Sequence, residues 1–148
     1  MAATTLIPVS EYLVSSYEGD RDYIDGEVRE RNIGVRPHSD MLGVLTGIIH
    51  ARRKEWAVLA APSVRVRTSE NRILVPDVTI ILRGAPIEDI ISTPPLAICE
   101  VLSPLDRFLD LRFRVEEYAR MGVEHIWLMT RSAATPGSRL RMAHTPAW

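Results

Sequence analysis

Apolar positions along this chain change their spacing several times, and each change predicts a new element. Ser10 is placed to cap a short helix over 11–18, with Tyr12, Leu13 and Tyr17 as its apolar contacts. Asp20 to Asp22 is a polar break. Tyr23-Ile24-Asp25-Gly26-Glu27-Val28 then reads as a strand or hairpin turning at Asp-Gly. Met41, Leu42, Leu45, Ile48 and Ile49 recur at helical spacing, and Arg52-Arg53-Lys54 suits the negative end of that helix dipole. Residues 56–67 and 72–82 read as two strands joined by Thr68-Ser69-Glu70-Asn71. Residues 96–102 form a nearly continuous apolar run, which predicts a strand covered on both faces. Phe108, Leu111, Val115 and Tyr118 make one stripe of a helix over 108–121, stopped by Gly122. A strand over 123–129, a loop over 133–138 and a weak strand or tail over 139–148 complete the chain.

From residue 38 onward the order is α-β-β-β-α-β, which predicts an α/β (α+β) fold with a mixed central sheet flanked by helices. An N-terminal helix and hairpin extend it. At 148 residues the chain fits one domain, 1–148, with a weakly structured tail over 131–148.

Composition adds mostly exclusions. Apolar types at 46% and charged types at 25% rule out global disorder. No apolar run approaches a membrane span, and the first residues lack the basic-then-apolar order of a signal peptide. Cys99 is the single cysteine, so an intrachain disulfide and a cysteine zinc cluster are both excluded, and no zinc is expected. These features predict a cytoplasmic protein with no membrane partner. A net charge of −1 gives composition no pull toward nucleic acid. All but one of the 18 basic residues are arginine, so a mechanism requiring lysine must use Lys54.

Two acids stand out by their surroundings. Asp77 lies within Ile73-Leu74-Val75-Pro76-Asp77-Val78-Thr79-Ile80-Ile81, and Glu100 sits in the middle of its apolar strand. Desolvating an ionised carboxylate costs several kcal/mol, so each needs an arginine, a proton or a cation. Two carboxylates on neighbouring strands repel, and a divalent metal relieves that directly; Mg²⁺ suits one or two carboxylates with waters and phosphate oxygens. The plainer alternative for each acid is a salt bridge or a solvated strand end. Glu27 follows the same logic more weakly. His38 lacks a second histidine at i+4, so capping or surface exposure competes with any ligand role.

Five motifs recur here in the order and spacing of one family: Tyr23-Ile24-Asp25-Gly26-Glu27-Val28, Pro37-His38, Val75-Pro76-Asp77-Val78, Cys99-Glu100-Val101-Leu102-Ser103-Pro104, and 118–128 with Tyr118, Gly122 and Trp127. Across residues 9–130 the chain resembles the Uma-type restriction endonuclease family of the PD-(D/E)XK nuclease superfamily. The resemblance implies a restriction-endonuclease-like core that hydrolyses phosphodiester bonds of DNA with Mg²⁺, or Mn²⁺ in its place. It implies Asp77 and Glu100 as metal-binding acids, with Glu27, His38 and Ser103 as accessory residues. We also expect a homodimer.

The family's lysine, four residues before the tyrosine, is here Arg114, while the superfamily's alternative position is Leu102. By helical geometry Arg114 lies roughly 80° from the centre of the apolar stripe and can reach toward the sheet. It keeps the charge and can grip phosphate, but it does not readily lose a proton. An i, i+4 pair with Asp110 is its plainer role. The family's Trp-Leu-Val-Asp is here Trp127-Leu128-Met129-Thr130, which leaves the terminal hairpin open.

Arg65, Arg67, Arg72, Arg107, Arg112 and Arg120 are the arginines available to nucleic acid, against a plainer reading as solvated charges balanced by acids. Trp56 and Trp127 read as core. Three functions remain: a metal-dependent endonuclease using Asp77, Glu100 and Arg114; a catalytically impaired nuclease-fold module binding nucleic acid or protein; and an interaction domain whose acids form ordinary ion pairs.

Overall fold

The computed structural model describes residues 5–31, 36–103 and 106–130, with the backbone of 131 and 140–146. The loop expected over 133–138, the Pro104 of the fourth motif and the last two residues of the chain lie outside these.

The first described helix is α1 (Val9–Val14), shorter than expected, with Pro8 rather than Ser10 at its N-cap position and no side-chain cap. β1 (Arg21–Ile24) and β2 (Glu27–Glu30) form the expected hairpin. Its turn places Asp25 at φ 50° and Gly26 at φ 99°, the left-handed pair that asparagine, aspartate and glycine tolerate best. α2 (Arg36–Arg52) follows.

The two long runs read as single strands each divide. Residues 56–67 make β3 (Val58–Pro62) and β4 (Val66–Ser69), and 72–82 make β5 (Arg72–Leu74) and β6 (Val78–Leu82). The breaks fall at Ser63, with φ 50°, and at Pro76, which has no N–H to continue a ladder. The expected hairpin is therefore bent, and its halves enter different sheets. β2-β1-β5-β4 form a four-stranded sheet; β3-β6-β7-β8-β9 form a five-stranded one. β7 (Ala97–Val101) is buried along its whole length, as its apolar run demands. α3 (Phe108–Met121) crosses over to β8 (His125–Arg131), which runs parallel to β7. Gly122 ends α3 in the left-handed conformation at φ 96°. β9 (Leu140–Pro146) pairs antiparallel with β8, so part of the expected weak tail is an edge strand.

Side chains alternate across β7. Ala97, Cys99 and Val101 face α2, packing with Ile49, Val58, Val78, Ile80 and Met129. Ile98 faces α3 and packs with Leu74, Tyr118, Val123 and Ile126. Each fully buried aliphatic side chain here contributes about 1.5–3 kcal/mol. Trp56 is 46% exposed beneath Arg52, contrary to the expectation of a core residue, whereas Trp127 packs against the first cluster. Phe108 is 74% exposed, so the apolar stripe of α3 begins later than its sequence spacing predicts. No helix among the described residues is long and apolar enough to cross a membrane.

Candidate active site

Asp77 immediately precedes β6, and Glu100 lies in β7. The register pairs Val78 with Cys99, so one further step sets Asp77 opposite Glu100. Opposed residues of an antiparallel pair leave the same face of the sheet. Both carboxylates project on the α3 side, and both are buried.

Arg114 from α3 reaches Glu100 and is itself buried. Its Nε donates to Glu100 Oε1 at 2.8 Å, and its Nη2 donates to Val75 O at 2.9 Å and Tyr118 Oη at 2.8 Å. Its Nη1 donates to Asp22 Oδ2. These partners replace the plainer i, i+4 role. Tyr118 Oη in turn donates to Glu100 Oε1 at 2.5 Å. Asp22 Oδ1 accepts from the Val75 amide at 2.8 Å.

A second arginine completes the cluster. Arg31 follows β2 and continues its ladder by donating its amide to Asp20 O at 3.2 Å. Its Nη1 donates to Asp77 Oδ1 and its Nη2 to Glu100 Oε2, each at 3.2 Å. Nη1 also donates to Val75 O. The remaining Asp77 oxygen, Oδ2, accepts from the Val101 amide at 2.7 Å and lies 3.3 Å from His38 Nε2.

Electrostatics follow from these contacts. Burial alone would push the Asp77 carboxyl up. The His38 hydrogen bond, the Arg31 charge and the Val101 amide outweigh it, lowering Asp77 from 3.8 to about 2. The hydrogen bond to Asp77 raises His38 above its ordinary 6.5, against burial and the Arg31 charge. Burial pushes the Tyr118 hydroxyl well above 10, despite the Arg114 charge, so it remains a donor. Burial opposes the charge on both arginines, and Glu100 is the first of the carboxylates that restore and raise their pKa values. Asp22, Asp77 and Glu100 face Arg31 and Arg114, and His38, when protonated, adds a positive charge beside Asp77.

The cluster opens on a cleft of about 490 Å³ whose walls include Asp22, Arg31, His38, Glu100, Ser103 and Arg114. Of the residues singled out from sequence, Asp77, Glu100, Arg114 and His38 meet, and Ser103 lines the same cleft. Glu27 does not join them: its carboxylate accepts from Arg29 Nε at 2.9 Å on the outer hairpin. Sequence reasoning missed Arg31 and Asp22. The Asp-Gly turn carried their signal, since its register sets Asp22 opposite Arg29 and places Arg31 on the same face two residues later.

Most of the other candidate arginines are occupied within the fold. Arg65 donates to Ser15 O and covers the Tyr12 ring; Arg72 pairs with Asp25 and Glu117; Arg112 and Arg120 pair along α3. Arg107 lines the cleft.

The donor chemistry fits a hard divalent cation. Each carboxylate has one oxygen fixed by the scaffold, namely Asp77 Oδ2 by Val101 and Glu100 Oε1 by Arg114 and Tyr118. The other two, Asp77 Oδ1 and Glu100 Oε2, converge on the Arg31 guanidinium. Two carboxylate oxygens supplemented by waters suit Mg²⁺ or Mn²⁺. Among the described residues no group of three or more His, Cys, Asp and Glu side chains is arranged to hold a metal.

A mixed sheet with paired buried carboxylates, a crossover helix supplying a cationic partner to one of them and a cleft beside them define a restriction-endonuclease-like domain. The chain matches the Uma2 family, described as "Putative restriction endonuclease", over residues 11–135, and it belongs to that family. The fold is shared with a solved structure described as "a putative nuclease belonging to DUF820 from Anabaena variabilis ATCC 29413". That protein is 19% identical, with a TM-score of 0.75 over 92% of this chain and 83% of its own. No curated protein matches the chain.

Proposed function

We propose that this protein is a nuclease that hydrolyses phosphodiester bonds of nucleic acid, DNA in the first instance, with Mg²⁺ or Mn²⁺ held by Asp77 and Glu100. The observation that carries this reading is the convergence of Asp77 Oδ1 and Glu100 Oε2 on a single cationic group beside the cleft. A divalent cation bound there supplies charge stabilisation to the phosphate and lowers the pKa of its water. The chain's own residues prepare the position. Val101 and His38 keep Asp77 ionised and oriented, while Tyr118 and Arg114 fix Glu100 by one oxygen and leave the other directed at the Arg31 position. Arg114 spends its donors on Glu100, Asp22, Val75 and Tyr118, so it positions acids rather than water. As an arginine it takes no proton from water. His38 is the group beside the pair whose proton occupancy changes nearest neutrality.

The test is cleavage of supercoiled plasmid and single-stranded DNA with Mg²⁺ and then Mn²⁺. Metal-dependent cleavage lost in both Asp77→Asn and Glu100→Gln supports the proposal. A second reading, a nuclease-fold module that binds without cutting, is favoured by the Arg31 bridge across both acids. DNA binding by wild type and Asp77→Asn alike, with no cleavage by either, selects it. The expected homodimer is checked by light scattering.

A further inference from the structure

We infer that Arg31 is a resident counter-cation that a divalent metal must displace to occupy the Asp77–Glu100 pair. The inference rests on the nuclease reading and adds a control on metal affinity within the same site.

Three observations carry it. Arg31 contacts the one oxygen of each acid that the scaffold leaves unfixed. A metal and the guanidinium therefore compete for the same two atoms. The two contacts are also long: each is 3.2 Å, against roughly 2.7–2.9 Å for a charge-assisted bond. Arg114 by contrast holds Glu100 at 2.8 Å. Finally, Arg31 lies in the cleft wall with its side chain 20% exposed, twice the 10% of Arg114, so it has a path to water. The two arginines thus divide the work. Arg114 is structural and stays; Arg31 neutralises the acids until a cation replaces it. Without such a charge the facing oxygens Asp77 Oδ1 and Glu100 Oε2 would lose their shared partner in a buried place, leaving the repulsion between the two acids offset only from their far sides, by His38 and Arg114, which is costly.

The experiment is Mn²⁺ titration of the intact chain at pH 7.5, with free Mn²⁺ counted by electron paramagnetic resonance. The variants are Arg31→Gln, Arg31→Lys, Asp77→Asn and Arg31→Gln combined with Asp77→Asn. Arg31→Gln is expected to bind Mn²⁺ about tenfold tighter or more, the weight of one charged hydrogen bond. Arg31→Lys keeps the charge and should stay near wild type, and the double variant should lose binding. Equal affinity in wild type and Arg31→Gln, both abolished by Asp77→Asn, overturns the inference and leaves the nuclease reading standing. No binding by any folded variant overturns both. Should Arg31→Gln fail to fold, the arginine Nε–H signals of wild type decide the matter. Saturating Mg²⁺ should move the Arg31 signal far more than that of Arg114, and an unmoved Arg31 signal with metal bound through Asp77 overturns the inference.

Discussion

Placing at position 114 the lysine that the family resemblance implies is expected to destabilise this protein rather than activate it. Three guanidinium nitrogens of Arg114 reach four acceptors: Glu100 Oε1, Asp22 Oδ2, Val75 O and Tyr118 Oη. A lysine ammonium is one compact donor centre and can retain Glu100 or Asp22, but not both. The abandoned carboxylate is then buried without its partner, a situation that costs about 3–5 kcal/mol in a dry interior. Both acids line the cleft, so water offsets part of this, and a net loss of about 2–4 kcal/mol is expected. Urea unfolding at pH 7.5 in EDTA measures it. Adding Asp22→Asn removes the stranded charge, and the double variant should recover at least about 1 kcal/mol relative to additivity. Metal-dependent cleavage should rise only in that double background. A loss below about 1 kcal/mol for Arg114→Lys, or strict additivity with Asp22→Asn, would refute the two-acid anchoring of Arg114.

Other expectations follow from the same contacts. Asp77 is depressed from 3.8 to about 2, so its contribution of about 2 kcal/mol is present above pH 4 and is lost as pH falls toward 2; Asp77→Asn should flatten that acid limb in pH-dependent unfolding. His38 is raised, so its contribution is full below about pH 6.5 and fades as pH rises through its folded value; the stability gap to His38→Gln should shrink toward alkaline pH. Tyr118→Phe removes the hydroxyl that donates to Glu100 and accepts from Arg114, and calorimetry should show a loss of about 1–3 kcal/mol. Gly122→Ala should cost about 1 kcal/mol from its φ of 96° alone, because the added carbon meets only ordinary contacts at Pro94.

Much of this arrangement is legible in the sequence wherever a local rule decides. The 108–121 helix with its glycine stop, the Asp-Gly hairpin and the doubly covered β7 strand each follow from spacing or turn chemistry, and the structure has them there. The pairing of Asp77 with Glu100 is legible too, because a charged residue inside an apolar strand demands a partner. What sequence spacing conceals is where a strand changes sheets. Residues 56–67 and 72–82 look continuous, yet at Ser63 the chain leaves the five-stranded sheet for the four-stranded one, and at Pro76 it returns. That bend brings the hairpin extension over the acids, so Asp22 and Arg31 enter a site from which they are separated by some 50 residues of chain. The role of Arg114 shows the same limit: helical geometry brings it to the sheet, but its second anchor, Asp22, comes from the far hairpin. Trp56 fails differently, since an apolar neighbourhood in sequence does not reveal that Arg52 covers it at the surface.

The central claim, that Asp77 and Glu100 form one cation position now held by Arg31, is tested most directly by diffraction from crystals soaked in Mn²⁺, with anomalous data collected at the manganese edge. The account predicts one peak bonded to both Asp77 Oδ1 and Glu100 Oε2, with the Arg31 side chain turned into the cleft and Arg114 still on Glu100 Oε1. No peak at saturating Mn²⁺, with Arg31 still bridging the two acids, would contradict it.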